Sequence, residues 1–97
     1  MAMMTLTYGQ LPNFDAFELL FDAATADSGG TFSYNFMPNE TDSDTAARYG
    51  IPPEGEVSAR KLFGYLQGLV NGWEEDSDEE AGSMASSILS VLGIEWV

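Results

Sequence analysis

The 97-residue chain reads as a small α+β domain, and three features of the sequence predict it. Short stretches alternate apolar and polar residues with the period of a half-buried strand, and longer stretches carry apolar residues at helical spacing. Six Phe, four Tyr and two Trp residues supply enough large apolar surface for a core despite the heavy charge. One domain spanning residues 1–97 is expected, burying roughly two thirds of the surface its unfolded chain exposes. The expected order is strand, helix, strand, long loop, helix, helix, short strand, with two to three strands packed on about three helices.

Met4, Leu6 and Tyr8 alternate with Thr5 and Thr7 and stop at Gly9, which predicts the first strand. Asn13 suits a helix N-cap, and Phe14, Phe17, Leu20, Phe21 and Ala24 then share one arc of a helix. Asp15, Glu18 and Asp22 occupy the neighbouring arc, so this helix has one apolar and one acidic face. Ser28-Gly29-Gly30 breaks it, and Phe32, Tyr34 and Phe36 alternate as a second strand until Pro38. Residues 38–57 mix Pro, Gly, Asn, Asp, Glu and Ser and read as a long connection, with one helical turn near Thr45 to Tyr49 capped by Asp42 or Ser43.

Ser58 caps the next predicted helix, with Val57 and Leu62 placed as a hydrophobic staple. Leu62, Leu66, Leu69 and Trp73 follow helical spacing and make this the central helix, with Trp73 as a core anchor. Gly64, Gly68 and Gly72 recur every fourth residue; each weakens an isolated helix by about 1 kcal/mol relative to Ala, and close approach of another backbone is the expected compensation. Ser77 and Glu80 have the spacing of a capping box opening the last helix, in which Ala81, Met84, Ala85, Ile88 and Leu92 form the apolar side. Gly93 suits a left-handed stop, and Ile94 to Val97 a short final strand.

Sixteen acids against Arg48, Arg60 and Lys61 leave a net charge of −13. Such a surface repels nucleic acid and anionic membranes and speeds encounter with basic partners. Arg60 and Lys61 oppose the dipole at the start of their helix, so pairing with Glu54 or Glu56 is expected. The chain has neither His nor Cys, which removes the usual neutral-pH general base, Ser-His and Cys-His nucleophile pairs, and the common zinc sets. An enzyme is not expected, and no cofactor is implied. Asp42-Ser43-Asp44 and Asp76 to Glu80 lack calcium-loop geometry: counted from Asp76, Ala81 replaces the turn glycine and Ser87 the bidentate Glu. No basic leader or membrane-length apolar run is present, so a cytoplasmic location is expected and the Asn39-Glu40-Thr41 sequon is set aside.

The densest feature is Glu74, Glu75, Asp76, Asp78, Glu79 and Glu80, six carboxylates in seven residues broken only by Ser77. Duplex DNA carries about one charge per 1.7 Å of axis, and this run approaches that density, extended by Asp15, Glu18 and Asp22 if the first and central helices lie side by side. In size, acidity and lack of catalytic residues the chain resembles the anti-restriction and anti-CRISPR proteins of phages and mobile elements, many of which mimic nucleic acid. That resemblance implies a non-enzymatic inhibitor of a basic nucleic-acid-binding protein, contacting it through these nine acids. A small acidic protein–protein interaction module and a general high-salt adaptation are the other readings of the same composition. Asp27-Ser28-Gly29 is similar to the attachment site of acyl carrier proteins, but Ser28 closes a helix where theirs opens one.

Self-repulsion at this charge makes folding salt-dependent. Between about 0.05 and 0.5 M NaCl the urea midpoint should rise, because added ions screen exposed like charges.

Overall fold

The computed structural model describes residues 4–97, and the fold is α+β. In chain order the elements are β1 (Met4–Leu6), α1 (Phe14–Ala24), β2 (Phe32–Asn35), α2 (Glu40–Arg48), β3 (Glu54–Val57), α3 (Ala59–Asp76), α4 (Glu79–Val91) and β4 (Ile94–Trp96). A single 3₁₀ turn, Ala26–Ser28, closes α1. The strands form two separate pairs, β1 parallel to β4 and β2 antiparallel to β3. Within the described residues no helix is long and apolar enough to cross a membrane.

The central helix is α3, which packs against both α1 and α4. Its apolar stripe buries Leu62, Leu66, Leu69 and Val70 against Ala81, Met84, Ala85, Ile88 and Leu89 of α4 and Phe17 and Phe21 of α1. The Phe63 ring meets Phe14 at 5.4 Å and Phe17 at 5.0 Å, within the range where aromatic pairs attract beyond their buried area. Each helix is capped as its first residues dictate. The Asn13 side chain accepts from Ala16 N–H, Asn39 from Asp42 N–H and Ser58 from Lys61 N–H. Val57 and Leu62 are both buried, as a staple requires.

The expected long connection contains α2 and β3. Asn39, not Asp42 or Ser43, caps a helix of nine residues, and the chain after Pro52-Pro53 returns to pair with β2. The capping box is displaced as well. Ser77 sits in the left-handed region at φ 54° and ends α3, while Asp78 caps α4 by accepting from Ala81 N–H at 3.2 Å. The backbone N–H groups of Ser77 and Asp78 both return to Gly72 C=O, so the turn between the helices closes on itself.

Arg60 and Lys61 make no ion pair with Glu54, Glu56 or any other carboxylate among the described residues. Arg60 lies instead over the Phe14 ring, 4.4 Å from its centroid, which holds the guanidinium by a cation–π contact away from the helix dipole. Trp73 is half-buried and lies outside the core cluster, so the expected core anchor is instead part of a separate aromatic stack. Its ring is 4.9 Å from Tyr8, whose other neighbour is Trp96 at 4.7 Å, and Gly9 and Gly82 lie so close to the indole that neither could carry a Cβ unmoved. This stack joins the two ends of the chain, with the Trp96 indole N–H donating to Gln10 C=O at 2.7 Å.

Close approach occurs at one of the three spaced glycines, and there the neighbour is the Tyr49 side chain rather than the expected second backbone. A Cβ at Gly72 would overlap the Tyr49 ring and hydroxyl, whereas Gly64 and Gly68 have open space around them. Gly72→Ala should therefore destabilise the domain by about 1–3 kcal/mol through overpacking, and Gly64→Ala should stabilise it by about 1 kcal/mol through helix propensity. Urea unfolding of the two variants checks both signs.

Candidate acidic interaction site

The six clustered carboxylates fall on the corner where α3 gives way to α4, and the two helix ends treat them oppositely. Asp78, Glu79 and Glu80 occupy the N-cap and first turn of α4, where unsatisfied N–H groups and the positive dipole end favour anions. Glu74, Glu75 and Asp76 fill the last turn of α3, at the negative end, with no basic residue in that turn. The local fold accounts for the first three and works against the last three.

One cation serves this corner. Arg48, the last residue of α2, places its guanidinium nitrogen Nη2 2.9 Å from Glu80 Oε2 and 3.4 Å from Asp78 Oδ2. The same nitrogen donates to Thr45 Oγ1 at 3.2 Å, and the Thr45 hydroxyl bridges Thr41 C=O and Glu80 Oε2. Thr45 is fully buried, so this network fixes α2 on the turn from below. Next to Arg48, Tyr49 extends its hydroxyl to Asp78 Oδ2 at 2.8 Å. That bond, the Ala81 N–H and the charge of Arg48 together hold the Asp78 carboxyl below its usual range. Burial first, then donation to Asp78, pushes the Tyr49 hydroxyl up, and the bond to Glu80 does the same for Arg48.

Arg48, Tyr49, Asp76, Ser77, Asp78, Glu79 and Glu80 line an open groove. Beside it a second shallow hollow is bounded by Trp73, Glu74, Ser77 and Glu79. Glu74, Glu75, Asp76 and Glu79 are exposed and engage no side chain among the described residues. No group of three or more carboxylates among the described residues converges closely enough to hold a metal ion.

The acids of α1 lie elsewhere. Asp15, Glu18 and Asp22 are exposed, but Phe14 and Phe17 fix the start of α1 beside Phe63. Phe63 precedes Asp76 by thirteen residues, about 20 Å of helix at 1.5 Å per residue. The helices are neighbours, yet Asp15 and Glu18 flank the opposite end of α3 from the corner. Sequence reasoning missed Thr45, Arg48 and Tyr49 as partners of the corner, because they belong to a helix it did not recognise. The available signal was Arg48 as the only cation in residues 38–57.

Comparison with protein-family models, curated proteins and solved structures finds no match to this chain.

The lowered Asp78 carboxyl makes part of the stability pH-dependent. Its contribution is complete above the ordinary value of 3.8 and is lost as the pH falls through the lower value of the folded chain. Asp78→Asn should therefore be less stable than the parent at neutral pH. The difference in urea midpoint should narrow below about pH 4 and vanish once both chains carry an uncharged side chain there.

Proposed function

We propose that this protein is a non-enzymatic inhibitor that occupies the basic nucleic-acid-binding surface of another protein, using the α3–α4 corner as its main contact. The observation that carries the reading is the uncompensated half of the corner. Glu74, Glu75 and Asp76 stand at the negative end of a helix without a cation in the turn, an arrangement that folding disfavours and that a basic partner would relieve. Glu79 extends this free set across the turn. Asp78 and Glu80 are already committed to Arg48.

Charge density supports mimicry. The domain measures 32 × 28 × 18 Å, and duplex DNA as long as its longest axis would carry about 19 charges. The net charge of −13 is of that order. Asp15, Glu18 and Asp22 supply a second, auxiliary acidic face beyond the corner. Without His or Cys, a binding role suits the side chains better than a catalytic one.

The test is capture from source-cell lysate by the tagged protein at low and high salt, followed by displacement with duplex DNA or RNA. The parent should retain a nucleic-acid-binding protein that high salt or added nucleic acid releases. A variant with Glu74, Glu75 and Glu79 changed to Gln and Asp76 to Asn should lose it while keeping its fold. A captured partner indifferent to those four substitutions would overturn the reading in favour of a protein–protein interaction module.

A further inference from the structure

The two small sheets present four strand edges, and among the described residues the outward edge of β3 is the one that carries two carboxylates on exposed, unpaired backbone. Tyr8 N–H donates to Val97 C=O and Val97 N–H to Leu6 C=O, which turns the backbone of Thr5 and Thr7 outward on β1 and that of Ile94 and Trp96 outward on β4. Thr7 C=O is already taken by Gln10 N–H, and Ile94 is buried. In the other sheet, Phe36 N–H donates to Pro53 C=O, and hydrogen-bonded pairs alternate along an antiparallel ladder. Tyr34 with Gly55 and Phe32 with Val57 are therefore bonded pairs, while Ser33, Asn35, Glu54 and Glu56 direct their N–H and C=O groups away from the partner strand. On β2 the Asn35 side chain folds back to accept from Met37 N–H. On β3 the backbones of Glu54 and Glu56 have no partner among the described residues, and Glu54, Gly55 and Glu56 are all exposed.

The side chains of Glu54 and Glu56 share one face of the β2–β3 pair, where Ser33 donates its hydroxyl to Glu56 Oε1. Charged residues on an edge ordinarily guard it against pairing. Here the guard has a sign: two carboxylates repel a second copy of this acidic chain and attract a strand of opposite charge. We propose that the free edge of β3 docks an extended basic segment of a partner protein, which adds to the β2–β3 sheet as a third strand with Lys or Arg opposite Glu54 and Glu56. Main-chain bonds to the outward N–H and C=O groups supply the affinity, and alternate basic side chains supply the selection. Arg60 and Lys61 follow at the start of α3, with Arg60 drawn onto Phe14, so the acidic part of the edge is confined to Glu54–Glu56. This surface is distinct from the acidic corner, which lies at the other end of the 18-residue α3, about 27 Å along the helix.

Amide exchange followed by NMR tests the proposal, with the peptide Lys-Val-Lys-Val-Lys as probe. At saturation the Glu54 and Glu56 N–H groups should exchange about tenfold more slowly. The same peptide N-methylated at its lysine amides keeps the charge but loses the backbone donors, and it should give no protection. Glu54→Lys with Glu56→Lys should abolish the response while leaving the spectral dispersion of α3 and α4 intact. Equal effects from both peptides, or shifts confined to residues 74–80, would overturn edge docking and assign the peptide to charge attraction alone.

Discussion

The pairing of Arg48 with Asp78 and Glu80 is the contact on which the acidic end of the molecule depends. The chain has three cations, and only this one lies among the clustered acids. It ties α2 to the α3–α4 turn through partners 30 and 32 residues away, a long-range closure that local propensity in a polar helix cannot provide. Exposed ion pairs alone contribute little. This one is backed by the buried Thr45 hydroxyl and by the Tyr49 ring wedged against Gly72, so the pair completes a packed junction.

From that junction the six carboxylates divide by role. Asp78 caps α4 and accepts from Tyr49, and Glu80 receives Arg48. Glu74, Glu75, Asp76 and Glu79 have no such employment, and the first three stand where the helix dipole disfavours them. A run of acids that looks uniform in sequence is thus part scaffold and part free surface. The free part faces solvent beside the half-buried Trp73, on a turn that Ser77 holds in a left-handed conformation.

Legibility of the fold followed the apolar pattern. The aromatic alternation of β2 and the leucine spacing of α3 were readable because each buries a regular face, and Asn13 and Ser58 marked helix starts by their own side chains. Residues 38–57 offered no such pattern. In α2 only Thr45 and Ala46 are buried, and in β3 only Val57, so neither element carries a periodic apolar signal. Their order comes from tertiary partners: Arg48 on the corner for α2, and the β2 ladder for β3. The capping box failed for a related reason. Ser77 and Asp78 compete to open α4, and because α3 continues to Asp76, Ser77 is consumed in ending it. The clustered acids could be named from sequence, but dividing them required knowing which helix end each occupies. Arg60 shows the same limit, since its nearest suitable neighbour was the Phe14 ring brought in by α1 packing.

The division of the corner is open to urea unfolding of six single neutralisations: Glu74, Glu75, Glu79 and Glu80 each to Gln, and Asp76 and Asp78 each to Asn. Relief of like-charge repulsion favours every one of the six, so a lowered midpoint marks a structural role. The midpoint should rise for Glu74→Gln, Glu75→Gln and Asp76→Asn and fall for Asp78→Asn and Glu80→Gln, with Glu79→Gln between them. Six shifts of the same sign and similar size would contradict this division, leaving the corner a uniformly solvated run of charge.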